Sequence, residues 1–460
     1  MGSPKRRARW FIITVLALTM TFTGALAAGA AAPGTTITSG LMSPRYIALG
    51  PDGSVYVSEA GMGGDEQIAG SPDNPRSGGT RGFTGQVSKI APDGTKTVVA
   101  KGLPSYGGGG EVVGPAGIVY ANGAIWLAVG GSSFDLKVKA LENENSVVKI
   151  DPATGKVTKV ADLGAYETAN NPDTYGVNSD LYGMTLGSDG NLYVADAGAN
   201  TVYQIVPATG AIKVAAVIPG VPVTINDFPP GTFPPGVPFA NPERGGKQEV
   251  DPVPTGIAAG TDGSLYVTLL PGALLPSKAK VVRIGADGKL SDVVSGLTTL
   301  VGAAAGPDGS LYVSSLTAGF AENGPPAPGS VMRVLPGGKF EVVAADLPFP
   351  NGIVFDKAGN LYVATNTINA GPQPMGMVVR YDGIAKVAAP SPSPSASPTP
   401  APSAKPSPIP SPPPTGNGGA LPGLPNTGAG GGADTTLPLA GLLLVLALGG
   451  SLFVLRRRAL

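Results

Sequence analysis

Thirteen acidic or amide side chains lie in the irregular stretches of this chain: Asp65, Glu66, Asp135, Glu142, Glu144, Glu167, Asn170, Asn171, Asp173, Asp180, Asp227, Glu249 and Asp251. Carboxylate and amide oxygens suit a hard cation, or the hydroxyl and N–H groups of a polar ligand. The set reads either as a ligand or cation surface or as solvated loop decoration. Composition narrows the rest. There is no histidine and no cysteine, which removes imidazole bases, thiolate nucleophiles, soft metal sites and disulfides. No G-x-S-x-G elbow and no Walker loop occurs. Lys+Arg 31 balances Asp+Glu 31, leaving no basic surplus for nucleic acid.

These residues must be positioned by a repeat. LYGMTLGSDGNLYVADAG, from Leu181, places a Ser-Asp-Gly turn between two alternating apolar runs. Asp-Gly there signals a hairpin, because Gly accepts the positive φ of a tight turn. Five more copies begin at Pro44, Pro115, Pro254, Leu300 and Pro350. Each carries an aromatic at one register: Tyr56, Trp126, Tyr193, Tyr266, Tyr312 and Tyr362. Successive aromatics lie 46 to 73 residues apart, the spacing of four-stranded propeller blades with insertions. The fold expected over residues 35–388 is therefore all-β, a six-bladed β-propeller. The aromatics read as packing between blades, and the Asp-Gly pairs as turn chemistry rather than calcium loops.

Strand order then predicts two unlike faces. A third strand follows each aromatic strand (SVVKI, TVYQI, AKVVRI), and a tight turn leads to a fourth. Turns one-to-two and three-to-four open on one face. Two-to-three and inter-blade connections open on the other, and these include every long segment: 58–84, 129–145, 163–179, 219–253 and 316–329. Long loops on a rigid scaffold are where binding residues collect. TTITSGL, Thr35–Leu41, has no blade before it and would complete the sixth, closing the ring. Residues 384–389, IAKVAA, compete for that slot.

The ends carry targeting features. Lys5, Arg6, Arg7 and Arg9 precede an apolar stretch and an Ala25-Leu26-Ala27 site, as in a signal peptide spanning 1–27 with cleavage at 27–32. Residues 389–423 turn abruptly Pro-, Ser- and Gly-rich, a disordered linker that extends on the order of 100 Å at ~3.1 Å per residue. Beyond it stand Leu424-Pro425-Asn426-Thr427-Gly428, an apolar 437–455 long enough for a transmembrane helix, and Arg456-Arg457-Arg458. That order, over 424–460, resembles the LPxTG cell-wall sorting signal of Gram-positive surface proteins. The resemblance implies sortase cleavage after Thr427, covalent linkage to peptidoglycan and an extracellular, wall-anchored head.

The repeat pattern, x-G-I/M-A followed by DG-x-LYVAD, resembles NHL-type repeats and the six-bladed lactonase-like propellers. The stretches beginning at Pro44, Gly114 and Asp180 are more closely similar to the ScyD/ScyE family, exported propellers without an assigned reaction. That similarity covers about 35–388 and implies the fold and an exported location; the loop-rich face reads as a binding surface for a surface glycan, protein or small molecule. The lactonase likeness implies the alternative, a metal-dependent hydrolase with one divalent cation (Ca) at the axial mouth. In the matching registers, Glu59, Asp180, Asp196, Asn351 and Asn366 supply oxygens, whereas Arg45 would repel a cation.

Overall fold

The computed structural model describes residues 33–69, 78–108, 111–228, 240–241, 244–320, 326–368 and 373–385. The signal peptide, the linker and the sorting signal therefore lie outside the described residues. Among the described residues no helix is long and apolar enough to cross a membrane.

The described chain is all-β, in six antiparallel sheets of four or more strands and one two-stranded ribbon. Sheet one holds Pro44–Leu49, Val55–Glu59, Gly79–Ile90 and Lys96–Gly108, with Glu111–Val113 beyond them and Glu66–Ile68 paired alongside. Sheet two runs Pro115–Ala121, Ala124–Val129, Ser146–Ile150 and Val157–Asp162. Sheet three runs Leu181–Leu186, Leu192–Asp196, Thr201–Ile205 and Ile212–Val217. Sheet four has Pro254–Ala259, Leu265–Leu269, Ala279–Ile284 and Leu290–Leu297. Sheet five has Leu300–Ala305, Leu311–Ser315, Gly329–Leu335 and Lys339–Leu347. Sheet six combines Ile353–Phe355, Leu361–Thr365 and Gly376–Tyr381 with the N-terminal Thr35–Leu41.

The last pairing settles the choice between the two terminal segments. Thr35 faces Arg380 and Leu41 faces Gly376, so the N-terminal strand completes the last sheet. Of 384–389, Ile384 and Ala385 are described, and Ala385 is buried with its N–H donated to Gly359 O at 3.0 Å.

The first strands of the six sheets neighbour one another in a closed cycle, a propeller-like arrangement. The glycine of the repeat makes that approach possible. A Cβ at Gly183 would lie 2.4 Å from Thr255 O, one at Gly256 2.6 Å from Ala303 N, and one at Gly302 2.4 Å from Asn351 O. One at Gly352 would lie 2.5 Å from Arg45 O, while Gly352 N–H donates to that oxygen at 2.8 Å. Backbone meets backbone at each step, leaving no room for a side chain. Only sheet one breaks the pattern, with Tyr46 at this register, and its hydroxyl donates to Val301 O at 2.6 Å.

Two apolar layers follow from alternation along the strands. One joins Tyr46, Tyr182 and Val301 of the first-strand ring with Ile118 and Leu127, which pack between sheets one and two. Others fill the spaces between adjacent sheets, such as Trp126 with Met184 and Val194, or Tyr312 with Ile353 and Leu361. The aromatic register thus packs between sheets, as its strand position predicts, and Tyr56, Trp126 and Tyr312 are buried.

The turn aspartates do more than turn the chain. Asp189 accepts Asn191 N–H at 3.1 Å, Tyr193 O–H at 2.9 Å and Gln204 Nε2 at 2.9 Å. Asp308 accepts Ser310 N–H and Tyr312 O–H, both at 3.0 Å, and pairs with Arg333 at 3.1 Å. Asp52–Lys89 and Asp262–Arg283 repeat the link at 3.0 and 2.8 Å. Each unit ties a one-to-two turn to the third strand, so this face is internally paired.

Candidate functional site: the axial mouth and the loop face

First strands begin where second strands end: Pro44 faces Glu59, Pro115 faces Val129, Leu181 faces Asp196, and Leu300 faces Ser315. The long connections leave from this end. Part of the segment 58–84 is not loop but sheet. Gly79–Arg81 pairs with Tyr106–Gly108, and Glu66–Ile68 and Glu111–Val113 add on either side, extending sheet one as a flap.

The flap delivers two groups that the repeat pattern did not reveal. Arg45, on the first strand of sheet one, is 3% exposed. Its Nη2 donates to Val112 O and lies 3.8 Å from Glu111 Oε1, both on the flap. Its Nη1 donates to Tyr182 Oη at 3.0 Å, and Asn351 Nδ2 donates to the same hydroxyl at 2.7 Å. Burial works against the Arg45 charge, but Tyr182, Glu111 and Asp180 offset it and hold the guanidinium firmly protonated. Burial pushes the Glu111 carboxyl well above the usual range, with Arg45 opposing and Asp180 and Asp135 reinforcing. Asp180 is likewise raised, by burial first and then by Asp196 and Asp135.

The five residues expected to supply oxygens are distributed differently from a cation shell. Glu59 accepts Gln86 Nε2 at 2.8 Å and Ser88 Oγ at 2.5 Å on one oxygen, and Met42 N–H at 2.6 Å on the other. Asp196 accepts Ser179 Oγ at 2.7 Å and the N–H groups of Asp180, Gly198 and Ala199 at 2.8–3.1 Å. It therefore fastens the turn after its strand, and burial still raises its carboxyl to about 6. Asp180 accepts Gly131 N–H at 3.2 Å. Asn351 turns its amide nitrogen to Tyr182, and Asn366 turns its own to Met375 O at 3.3 Å. Asp180 and Asp196 are brought together, and Asn351 joins Arg45. Glu59 and Asn366 bond elsewhere. Among the described residues no group of three carboxylates converges on a metal-sized space. With Arg45 holding positive charge at the mouth, these residues do not fit a bound calcium.

Most of the acidic loop set serves the loops themselves. Glu66 pairs with Arg81 at 2.8 Å, and Glu249 and Asp251 pair with Arg244 at 2.8 and 2.6 Å. Arg244 also stacks 4.1 Å over Tyr175. Glu144 is buried and accepts Ser133 and Leu141 N–H, each at 2.7 Å. Glu167 accepts the Tyr203 hydroxyl at 2.9 Å. Neither side of these pairs stands out in a sequence without its partner.

The loop face nevertheless retains buried polar atoms without hydrogen-bond partners: Ser43 Oγ, Glu111 Oε1, both Asn145 amide atoms, Asn171 Oδ1, Asn178 Oδ1, Asn351 Oδ1 and Thr365 Oγ1. All of them sit at strand ends or in connections of this face. Two clefts flank the segment 132–145. One, with room for about a single water, lies among Arg81, Ser105, Tyr106 and Glu144. The other lies between the short helices α1, Ser133–Leu136, and α2, Leu163–Asn170.

No family model and no curated protein matches the chain. Among solved structures it is similar to a gluconolactonase from Xanthomonas campestris, at 11% identity over 77% of this chain and 91% of that one, with a TM-score of 0.46. It is also similar to a streptogramin B lyase, at 15% identity over 76% and 96% and a TM-score of 0.39. A PQQ-bound aldose sugar dehydrogenase from Streptomyces coelicolor aligns at 14% identity over 76% and 98%, with a TM-score of 0.42. Likeness at this level transfers no chemistry, so the functional reading rests on the residues above.

Proposed function

We propose that the chain is an exported, wall-anchored, six-bladed β-propeller that binds a polar ligand on its loop-rich face. One observation carries the binding: most of the unpartnered buried polar side-chain atoms lie on that face, whereas turn aspartates of the opposite face bond Lys, Arg or Gln side chains of the third strands. A buried donor or acceptor without a partner costs about 1–3 kcal/mol, and sites where a ligand completes the bonding are where such costs persist. The sequence order of Leu424–Gly428, apolar 437–455 and Arg456–Arg458 supports display from the wall. Sortase would break the Thr427–Gly428 amide and transfer the Thr427 carbonyl to an amine of peptidoglycan. The alternative, a metal-dependent lactonase, is opposed by the Arg45 charge at the mouth.

The test joins both halves of the proposal. Native protein should fractionate with the wall and, once released, bind components of glycan or surface-protein arrays. Thr427→Ala should appear in membrane or medium instead. Covalent wall linkage that survives Thr427→Ala would overturn the anchoring. No binding on either array would leave a spacer head.

A further inference from the structure

We propose that the cleft between α1 and α2 is a neutral-saccharide site, in which the Asn145 amide receives two adjacent sugar hydroxyls. This inference rests on the loop-face reading and gives it a location and a ligand class. The cleft measures about 420 Å³, room for one or two sugar rings. Asn145 lines it, is 1% exposed, and has no partner for either its Oδ1 or its Nδ2.

The side chain is held in place by its backbone. Asn145 O accepts Leu163 and Gly164 N–H at 2.9 and 3.0 Å, and the residue sits at φ 49°. Gly164 keeps the wall close: a Cβ there would stand 3.2 Å from Asn145 Cβ and 3.5 Å from Phe134 Cε2. Packing thus fixes an amide that nothing in the protein satisfies.

The surrounding charges are already matched. Both Glu144 oxygens accept backbone N–H groups, and Asp162 pairs with Lys159 at 2.9 Å while accepting Ala165 N–H at 2.9 Å. A charged ligand would find no free counter-charge here. An amide offers one acceptor beside two donors, and each hydroxyl of a vicinal diol can both donate and accept. Phe134 supplies an apolar surface for the C–H face of the ring.

The full exported chain should be titrated with glucose, galactose, maltose and lactose by calorimetry and saturation-transfer NMR. At least one sugar should bind. Asn145→Gly accepts the positive φ and removes the side chain with its amide, so it should weaken that sugar about tenfold or more. Its melting temperature should fall by no more than a few degrees, since the packing of one buried side chain is lost but no hydrogen bond within the protein is. If the Gly variant fails to fold, Asn145→Asp, which replaces the NH2 donors with an acceptor, should show the same loss. Native affinity in the variant, or no binding of any of the four sugars, would overturn the site. Loss on Tyr182→Phe with Asn145→Gly unaffected would also overturn it, while moving the ligand to the axial mouth and sparing the loop-face reading.

Discussion

Glu167 and Asp196 show how burial changes what a carboxylate does. Glu167, a fully buried residue of α2, is raised to about 7, by burial first and then by Asp196 and Asp173, against the Tyr203 hydrogen bond. Asp196 rises to about 6. Both therefore keep protons in the fold at pH values where the unfolded chain, with carboxyls near 4, has lost them. Their contribution to stability is complete below about pH 4 and is lost as pH rises through the folded values of about 6 and about 7. Melting temperature should thus fall from about pH 5 to about pH 7 and level off above. Glu167→Gln keeps an acceptor for Tyr203 and removes one titration. Calorimetric melts across that range should show a shallower slope and a higher melting temperature near pH 8; an unchanged slope would clear Glu167 of the role. From sequence, Glu167 was one of thirteen loop acids and amides with two open readings. Its partner Tyr203 lies 36 positions away on a third strand, a distance that no local pattern bridges.

Elements were more legible than residues, because period-two alternation and Asp-Gly turns are local signals. The hairpins, the aromatic register and the unlike faces all followed from them. The flap did not, because its short strands sit inside an insertion with few apolar residues and many glycines. Ring closure was half legible: two terminal segments had the right pattern, and pairing, which is long-range, chose one. Thr35–Leu41 now gives sheet six its fourth strand, with Leu41 fully buried beside Val378 and Val57. Deleting 35–41 should expose the edge of Gly376–Tyr381 and empty the Leu41 site. Truncating one buried Leu alone costs about 2–5 kcal/mol, so the deletion should lower the melting temperature by ten degrees or more for a domain whose shift is of order 2–4 °C per kcal/mol. A melting curve unmoved by the deletion would show that the strand does not hold the ring closed.

At the scale of the whole molecule, the mouth gathers side chains that only a closed ring can bring together. Arg45 comes from sheet one, Glu111 from the flap, Tyr182 from sheet three and Asn351 from the start of sheet six. The sequence placed Arg45 and Asn351 in matching registers but gave no sign of the Tyr182 hydroxyl that joins them. It did not reveal Glu111, and without that neighbour Arg45 looked only like an obstacle. Arg45 is instead the centre of this cluster, its charge held among Val112 O, Glu111 and the Tyr182 hydroxyl. Calcium added to the purified head should therefore leave its melting temperature unchanged, because a second positive charge would meet Arg45 at low dielectric and oxygens already accepting N–H and O–H groups. Differential scanning calorimetry with and without calcium decides the matter. A calcium-dependent rise that disappears in Glu59→Ala or Asp180→Ala would mean that these carboxylates can leave their present partners for a cation, and the hydrolase would then displace the binding head as the better account.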